Sequence, residues 1–328
     1  MRKRQTRRAR FGAATVAMIA VAATIIDSSP SSAAQASSAR TTNKLRSILF
    51  VNPLPKYPQW RVIGDCVASQ AKARGVSETE TGPSTGTLDA TTMIKQVQQG
   101  IANHVGAILT YPASPEFEPL LEQARKAGII VGTMYGAGAF KAANVDVGAN
   151  FVQLGQAYVR SIAARKGMQH VGLIAVGATG VGKVWTDSVE ASAKKTKNVV
   201  VDGVVYTNDN PSKALDQAIN LLTAHPAINV LASHMGTATQ GATQAIKEKG
   251  DLGKVVFVGN GSSGAALQGL REGTIYTILL QSLCAGGTSA VDAVVGIANG
   301  KPEPAAIAVP VQLVGLAAYN KLLAKGWS

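Results

Sequence analysis

From residue 45 onward, short β-branched apolar runs alternate with longer stretches whose apolar positions recur at helical spacing. SILFV (47–51), AILTY (107–111) and IIVGTM (129–134) have the length and branching of strands buried on both faces. Between them lie Trp60 to Ala73 and Asp89 to Ile101. In the latter, Met93, Ile94, Val97 and Ile101 trace one helix face. Glu116 to Ala127 reads as a third helix, with Ser114 as its expected cap and Pro115 at its first position.

The rhythm then restarts. Asn150 to Arg165 reads as a helix and VGLIAV (171–176) as a strand. Trp185 to Lys195, a helix, is followed by the strand VVVDGVVY (199–206). Ala214, Leu215, Ala218, Leu221 and Leu222 mark another helix face. INVLAS (228–233) and VVFVG (255–259) read as strands, with a helix from Thr239 to Lys249 between them. Strands alternating with helices of this length predict parallel sheets with right-handed crossovers. The chain therefore reads as α/β, with two doubly wound halves of similar architecture and no residue-level repeat.

The N-terminus breaks this pattern. Arg2, Lys3, Arg4, Arg7, Arg8 and Arg10 precede an apolar run from Phe11 to Ile26, and a Ser/Ala-rich zone follows. Basic, apolar and small-residue regions in that order predict a signal peptide over residues 1–36, with cleavage after Ala34 or Ala36. The run is 16 residues, short of the roughly 20 that span a bilayer as a helix. The expectation is a periplasmic or secreted protein. The leader carries six of the basic residues and one acid, so its removal lowers the formal charge from +13 to +8. The remaining Lys and Arg are scattered, without the clustered patch that nucleic-acid binding needs.

Two glycine motifs invite nucleotide-binding readings, and both are incomplete. Gly177 to Lys183 matches G-x-x-x-x-G-K, but Val184 stands where Ser or Thr would hold Mg²⁺. Gly259-Asn-Gly261-Ser-Ser-Gly264 matches G-x-G-x-x-G, but no acidic residue follows at the required distance. An exported protein also meets no nucleotide pool. The four histidines have no metal-binding spacing. No catalytic residue, metal site or cofactor is assigned. Among the histidines, His234 alone ends a strand, and a structural role is the simpler reading for it. Cys66 and Cys284 permit one disulfide in an oxidising compartment or two buried thiols.

Several phrases, in their order and spacing, resemble the type I sugar-binding proteins of ABC importers, in the ribose-, autoinducer- and rhamnose-binding group. They are Gly106 to Pro115, Leu121 to Ile130, Val147-Gly-Ala-Asn150 with Gly155, Gly241 to Ile246, Val258-Gly259 and Gln281. Pro55-Lys56 and Gly82-Pro83 resemble the autoinducer and rhamnose branch. The resemblance implies a type I periplasmic binding protein whose two lobes are joined by a multi-strand hinge. One lobe would comprise 45–147 and 282–303, the other 148–281 and 304–328. It also implies a monomer that carries a small molecule, a sugar or sugar-like compound, to an ABC permease. A sensor that presents its ligand to a receptor is the alternative partner; a small aromatic is the alternative ligand. An exported hydrolase is a third reading. In this fold the helices carrying Cys66 and Cys284 are neighbours, which favours a bond between them.

The family's charged sugar clamp is missing from its usual places. Tyr135-Gly136 replaces Asp-Arg, and Met235-Gly236 replaces Asn-Asp. Asn260-Gly261 stands near the third place, and Gln281 matches the hinge-side glutamine. Lys56, Trp60, Tyr135, Asn150, Trp185, Met235, Asn260 and Gln281 are the expected ligand-binding residues. A cleft with rings in place of carboxylates and arginine predicts a neutral or mildly anionic ligand, with Lys56 pairing an anion or donating to a hydroxyl.

Overall fold

The computed structural model describes residues 45–328, apart from 137–140, 262–263, 326 and 328; the signal peptide expected over residues 1–36 lies outside the described residues. Two six-stranded sheets organise the chain. The first is built from β1 (Ser47–Val51), β2 (Ser77–Thr81), β3 (Ala107–Thr110), β4 (Ile130–Met134), β5 (Val145–Gly148) and β11 (Ala306–Ala308). Its order is β2-β1-β3-β4-β5-β11, parallel throughout. The second contains β6 (Gln169–Ala175), β7 (Val199–Tyr206), β8 (Val230–Ala232), β9 (Val256–Asn260), β10 (Ile275–Gln281) and β12 (Val311–Val314). Its order, β7-β6-β8-β9-β10-β12, repeats the first, with β12 antiparallel to β10. Strand order reverses between β1 and β3 and again between β6 and β8, and open α/β sheets place ligands at such points.

The expected strands are present with boundaries shifted by a residue or two. Of those not read from the apolar pattern, β2 is polar, β5, β11 and β12 are short, and β10 (IYTILLQ) is apolar and seven residues long. The β2 sequence is SETET, at a sheet edge where one side needs no apolar partner. Glu80 on this strand pairs with Arg61 of α1 (Pro58–Ala73) at 2.7 Å. Ala306–Ala308, assigned from sequence to the second lobe, instead pairs with Asp146–Gly148 of the first sheet. α3 (Phe117–Lys126) starts later than Ser114-Pro115 suggested. Those two residues form a turn, their carbonyls accepting from the Phe117 and Glu118 N–H groups at 3.1 Å.

Three segments pass between the sheets. β5 leads into α4 (Phe151–Ala163), which packs on α5 (Gly180–Ala193) of the second half. β10 leads into α9 (Leu283–Ala298), which packs on α1 and on β4 and β5 of the first. β11 leads into β12. The α1–α9 approach is close: a Cβ on Gly287 would lie 2.7 Å from the Ile63 carbonyl oxygen. Cys66 of α1 and Cys284 of α9 form a disulfide across this contact, with Cα atoms 5.3 Å apart. Arg74–Asp292, at 2.7 Å, joins the same helices. One continuous apolar core runs from Ile48 and Phe50 through Leu154 and Leu283 to Leu173 and Val258, tying the two halves together through the crossings.

Candidate functional site

The strands of both sheets end around one small cavity of about 70 Å³. The loops that follow β1, β3, β4 and β5 bring Trp60, Tyr111, Tyr135 and Phe151 to it. From the second sheet come Asp209 after β7, His234 and Met235 after β8, Asn260 at the end of β9 and Gln281 at the end of β10.

Each side chain is held by local structure. Asn52, fully buried, organises the loop between β1 and α1. Its Nδ2 donates to the Trp60 carbonyl (3.1 Å) and to Glu80 Oε1 (2.8 Å), and its Oδ1 accepts from the Leu54 N–H. Trp60 then meets Tyr111 and Tyr135 edge to face, at centroid distances of 5.9 and 5.7 Å. Tyr135 sits in the left-handed region, with φ of 59°. It needs a bare neighbour on β5, because a Cβ at Gly148 would lie 2.8 Å from both its N and its Cα. Asp146 closes this corner by accepting from Thr133 Oγ1 and the Gly136 N–H, both at 2.7 Å.

On the second sheet, Asn208 and Asp209 are both left-handed, with φ of 51° and 56°, which turns the chain at the end of β7. Asp209 accepts a hydrogen bond from the Thr237 hydroxyl, in the first turn of α7 (Gly236–Glu248). The His234 carbonyl accepts from Asn260 Nδ2 (3.0 Å), and the Asn260 carbonyl from Thr239 Oγ1 (2.8 Å). The His234 ring lies between Phe151 (5.6 Å) and Trp185 (4.9 Å).

Burial sets the charge state of these groups. It lowers the His234 pKa from 6.5 to about 3, so the imidazole is neutral at physiological pH. It raises Asp209, against the stabilising Thr237 bond. Tyr111 and Tyr135 are pushed well above the ordinary phenol value, first by burial and then by Asp209 and Asp146 respectively. Tyr135 Oη, His234 Nε2 and Gln281 Oε1 are buried without a hydrogen-bond partner. Unpaired buried polar atoms are costly, and the three residues that carry them line one cavity.

Of the residues expected from sequence, Trp60, Tyr135, Met235, Asn260 and Gln281 line the cavity. Three do not. Lys56 is exposed on the outer rim, where its Nζ donates to the Ser84 carbonyl at 3.0 Å, so it gives no anion partner inside. Asn150 is exposed, and its Oδ1 caps α4 by accepting from the Gln153 N–H. Trp185 is fully buried behind His234, packed edge to face on Tyr158. Sequence reasoning did not single out Tyr111, Phe151 and Asp209, which also line the cavity, and preferred a structural to a functional role for His234. A carboxylate, Asp209, lines the cavity from the end of β7.

The glycine motifs are structural. Lys183 pairs with Asp187 one helical turn away at 2.7 Å, and a Cβ at Gly182 would strike the Gly177 carbonyl. Gly261 is bare because Leu279 and Leu280 press against it. Among the described residues no group of three or more His, Cys, Asp or Glu could hold a metal, and no helix is long and apolar enough to cross a membrane.

Solved structures share this architecture. GanP, a glucose-galactose binding protein from Geobacillus stearothermophilus, is 19% identical with a TM-score of 0.79, over 83% of this chain and 98% of that one. An ABC transporter periplasmic solute-binding protein from Actinobacillus succinogenes with bound D-allose is 19% identical with a TM-score of 0.74, over 84% and 99%. An Agrobacterium vitis ABC transporter solute-binding protein bound with α-D-tagatopyranose is 17% identical with a TM-score of 0.78, over 85% and 98%. No curated protein sequence matches the chain. Residues 48–302 match the sequence model of the periplasmic binding protein domain, and the chain belongs to that family.

Proposed function

We propose that this protein is an exported solute-binding protein that captures a small, polar, sugar-like molecule between two lobes and delivers it to an ABC permease. The observation that carries the reading is that Tyr135, His234 and Gln281, which line one ring-lined cavity at the strand ends, each hold a buried polar atom (Oη, Nε2 and Oε1) without a hydrogen-bond partner. A hydroxyl-bearing ligand would satisfy these atoms, and its C–H surface would lie against Trp60, Tyr111 and Phe151. Release would follow from hinge motion at the three crossing segments. The solved structures with bound sugars support a sugar or related polyol as the cargo.

A thermal-shift screen over sugars, polyols, furanosyl compounds and small aromatics tests this. A ligand at a hundred times its Kd adds about 2.7 kcal/mol to folding stability, or roughly 4–5 °C for a chain of this size. The ligand should be recovered unchanged after incubation. Chemical conversion of the bound compound would replace the reading with an enzymatic one.

A further inference from the structure

The charge inside the cavity points beyond a generic polyol. Asp209 is the one charged side chain among the described residues that line it. His234 is neutral there, and Lys56 is turned outward onto Ser84. A second carboxylate, Asp146, lies buried behind Tyr135. With Asp209 on the wall, Asp146 behind it and no Lys or Arg among the described residues that line the cavity, the interior is electronegative, and exclusion of water strengthens that field. The three rings of the first sheet add to it. Trp60, Tyr111 and Tyr135 form an edge-to-face cluster on the wall that Asp209 faces from the second sheet, and aromatic faces attract cations.

Resting on the capture reading above, we propose that the natural ligand carries a protonated amine, as an amino sugar or amino polyol does, and that Asp209 is its counter-ion. An anionic ligand would meet Asp209 with no basic group to offset it. A neutral sugar's hydroxyls could donate to Asp209 beside Thr237, but they would leave its buried negative charge without a counter-charge. An ammonium over the ring cluster and beside Asp209 supplies that counter-charge, while its hydroxyl neighbours engage Gln281 Oε1 and Tyr135 Oη.

Calorimetric titration of the leader-free protein with matched pairs tests this at about pH 6.5, below the ordinary amine range. The pairs are D-glucosamine with D-glucose, and glucamine with sorbitol. A charge-assisted hydrogen bond corresponds to roughly ten- to a hundredfold in affinity, so the amine of the better-binding pair should be tighter by that factor. In Asp209→Asn the two members should fall within about threefold of each other. The wild-type comparison stands even if that variant folds poorly. Equal or tighter binding of the neutral member overturns this inference and leaves the capture reading intact. Failure of all four compounds, together with failure of the neutral sugar and polyol screen, overturns both.

Discussion

Acidification should destabilise this protein through His234 more than through any other single group. The buried ring lies between Phe151 and Trp185, and burial lowers its pKa from 6.5 to about 3. Between those values the unfolded chain binds a proton that the folded protein does not. The folded-state advantage is therefore complete above about pH 6.5 and is lost as pH falls toward 3. At pH 4 the loss from this group is about 3 kcal/mol, a large part of the 5–15 kcal/mol typical of a folded domain. Glu78 and Asp209 oppose it, since burial raises both and their protonation favours the folded form as pH drops. Comparison with His234→Asn cancels these contributions. At pH 7 the variant loses ring contacts, at a cost of about 1–2 kcal/mol. At pH 4 the gap between the two proteins should close or reverse. Urea unfolding at pH 7, 5.5 and 4 measures it. A gap that stays constant across the series would show that the imidazole is not buried in its neutral form.

Three further outcomes follow from named contacts. Replacing Cys66 and Cys284 with Ser opens a cross-link of sequence separation 218 and should lower stability by about 2–4 kcal/mol in urea, with reductant having the same effect on the parent protein; equal stability in all three samples would refute this. Gly148→Ala drives a Cβ into the Tyr135 backbone and should cost about 1–3 kcal/mol while also weakening ligand binding, read by melting temperature and titration. Glu78 is pushed up to about 7 by burial, with the Glu80 charge adding to it, so its contribution to stability falls as pH rises from about 4.5 to 7. Glu78→Gln should flatten that slope by about 1 kcal/mol, the group being partly solvent-screened; an unchanged slope would contradict it.

Much of the fold was legible because its central strands are buried on both faces and show as apolar runs. SILFV and VVFVG needed no context to be read as strands. SETET was not legible, because an edge strand facing Arg61 and solvent carries no apolar signal. Neither was Ala306–Ala308, whose three residues carry too little pattern to assign them to a sheet. At the site, the rule that ligands gather at strand ends located Tyr135, Asn260 and Gln281. Applied to β3 and β7 as well, it would have found Tyr111 and Asp209. Asp209 stands at a strand end where the resemblance places no carboxylate. Lys56 and Asn150 failed for a local reason: both lie on strand-end loops, but one side chain bonds outward to Ser84 and the other caps its own helix. Trp185 failed because helical position alone does not distinguish a cavity wall from the layer behind it. His234 fills that wall.

The central claim is that the cavity at the strand ends is where ligand binds. Calorimetric titration of the parent protein with Gln281→Ala, Tyr135→Ala and Lys56→Ala, using a compound from the stability screen, tests it most directly. The parent should bind one ligand per chain. Gln281→Ala and Tyr135→Ala should each weaken binding by roughly tenfold or more, with melting temperatures showing folded protein, and Lys56→Ala should bind as the parent does. Unchanged affinity in both cavity variants, or a selective loss in Lys56→Ala, would place the ligand elsewhere.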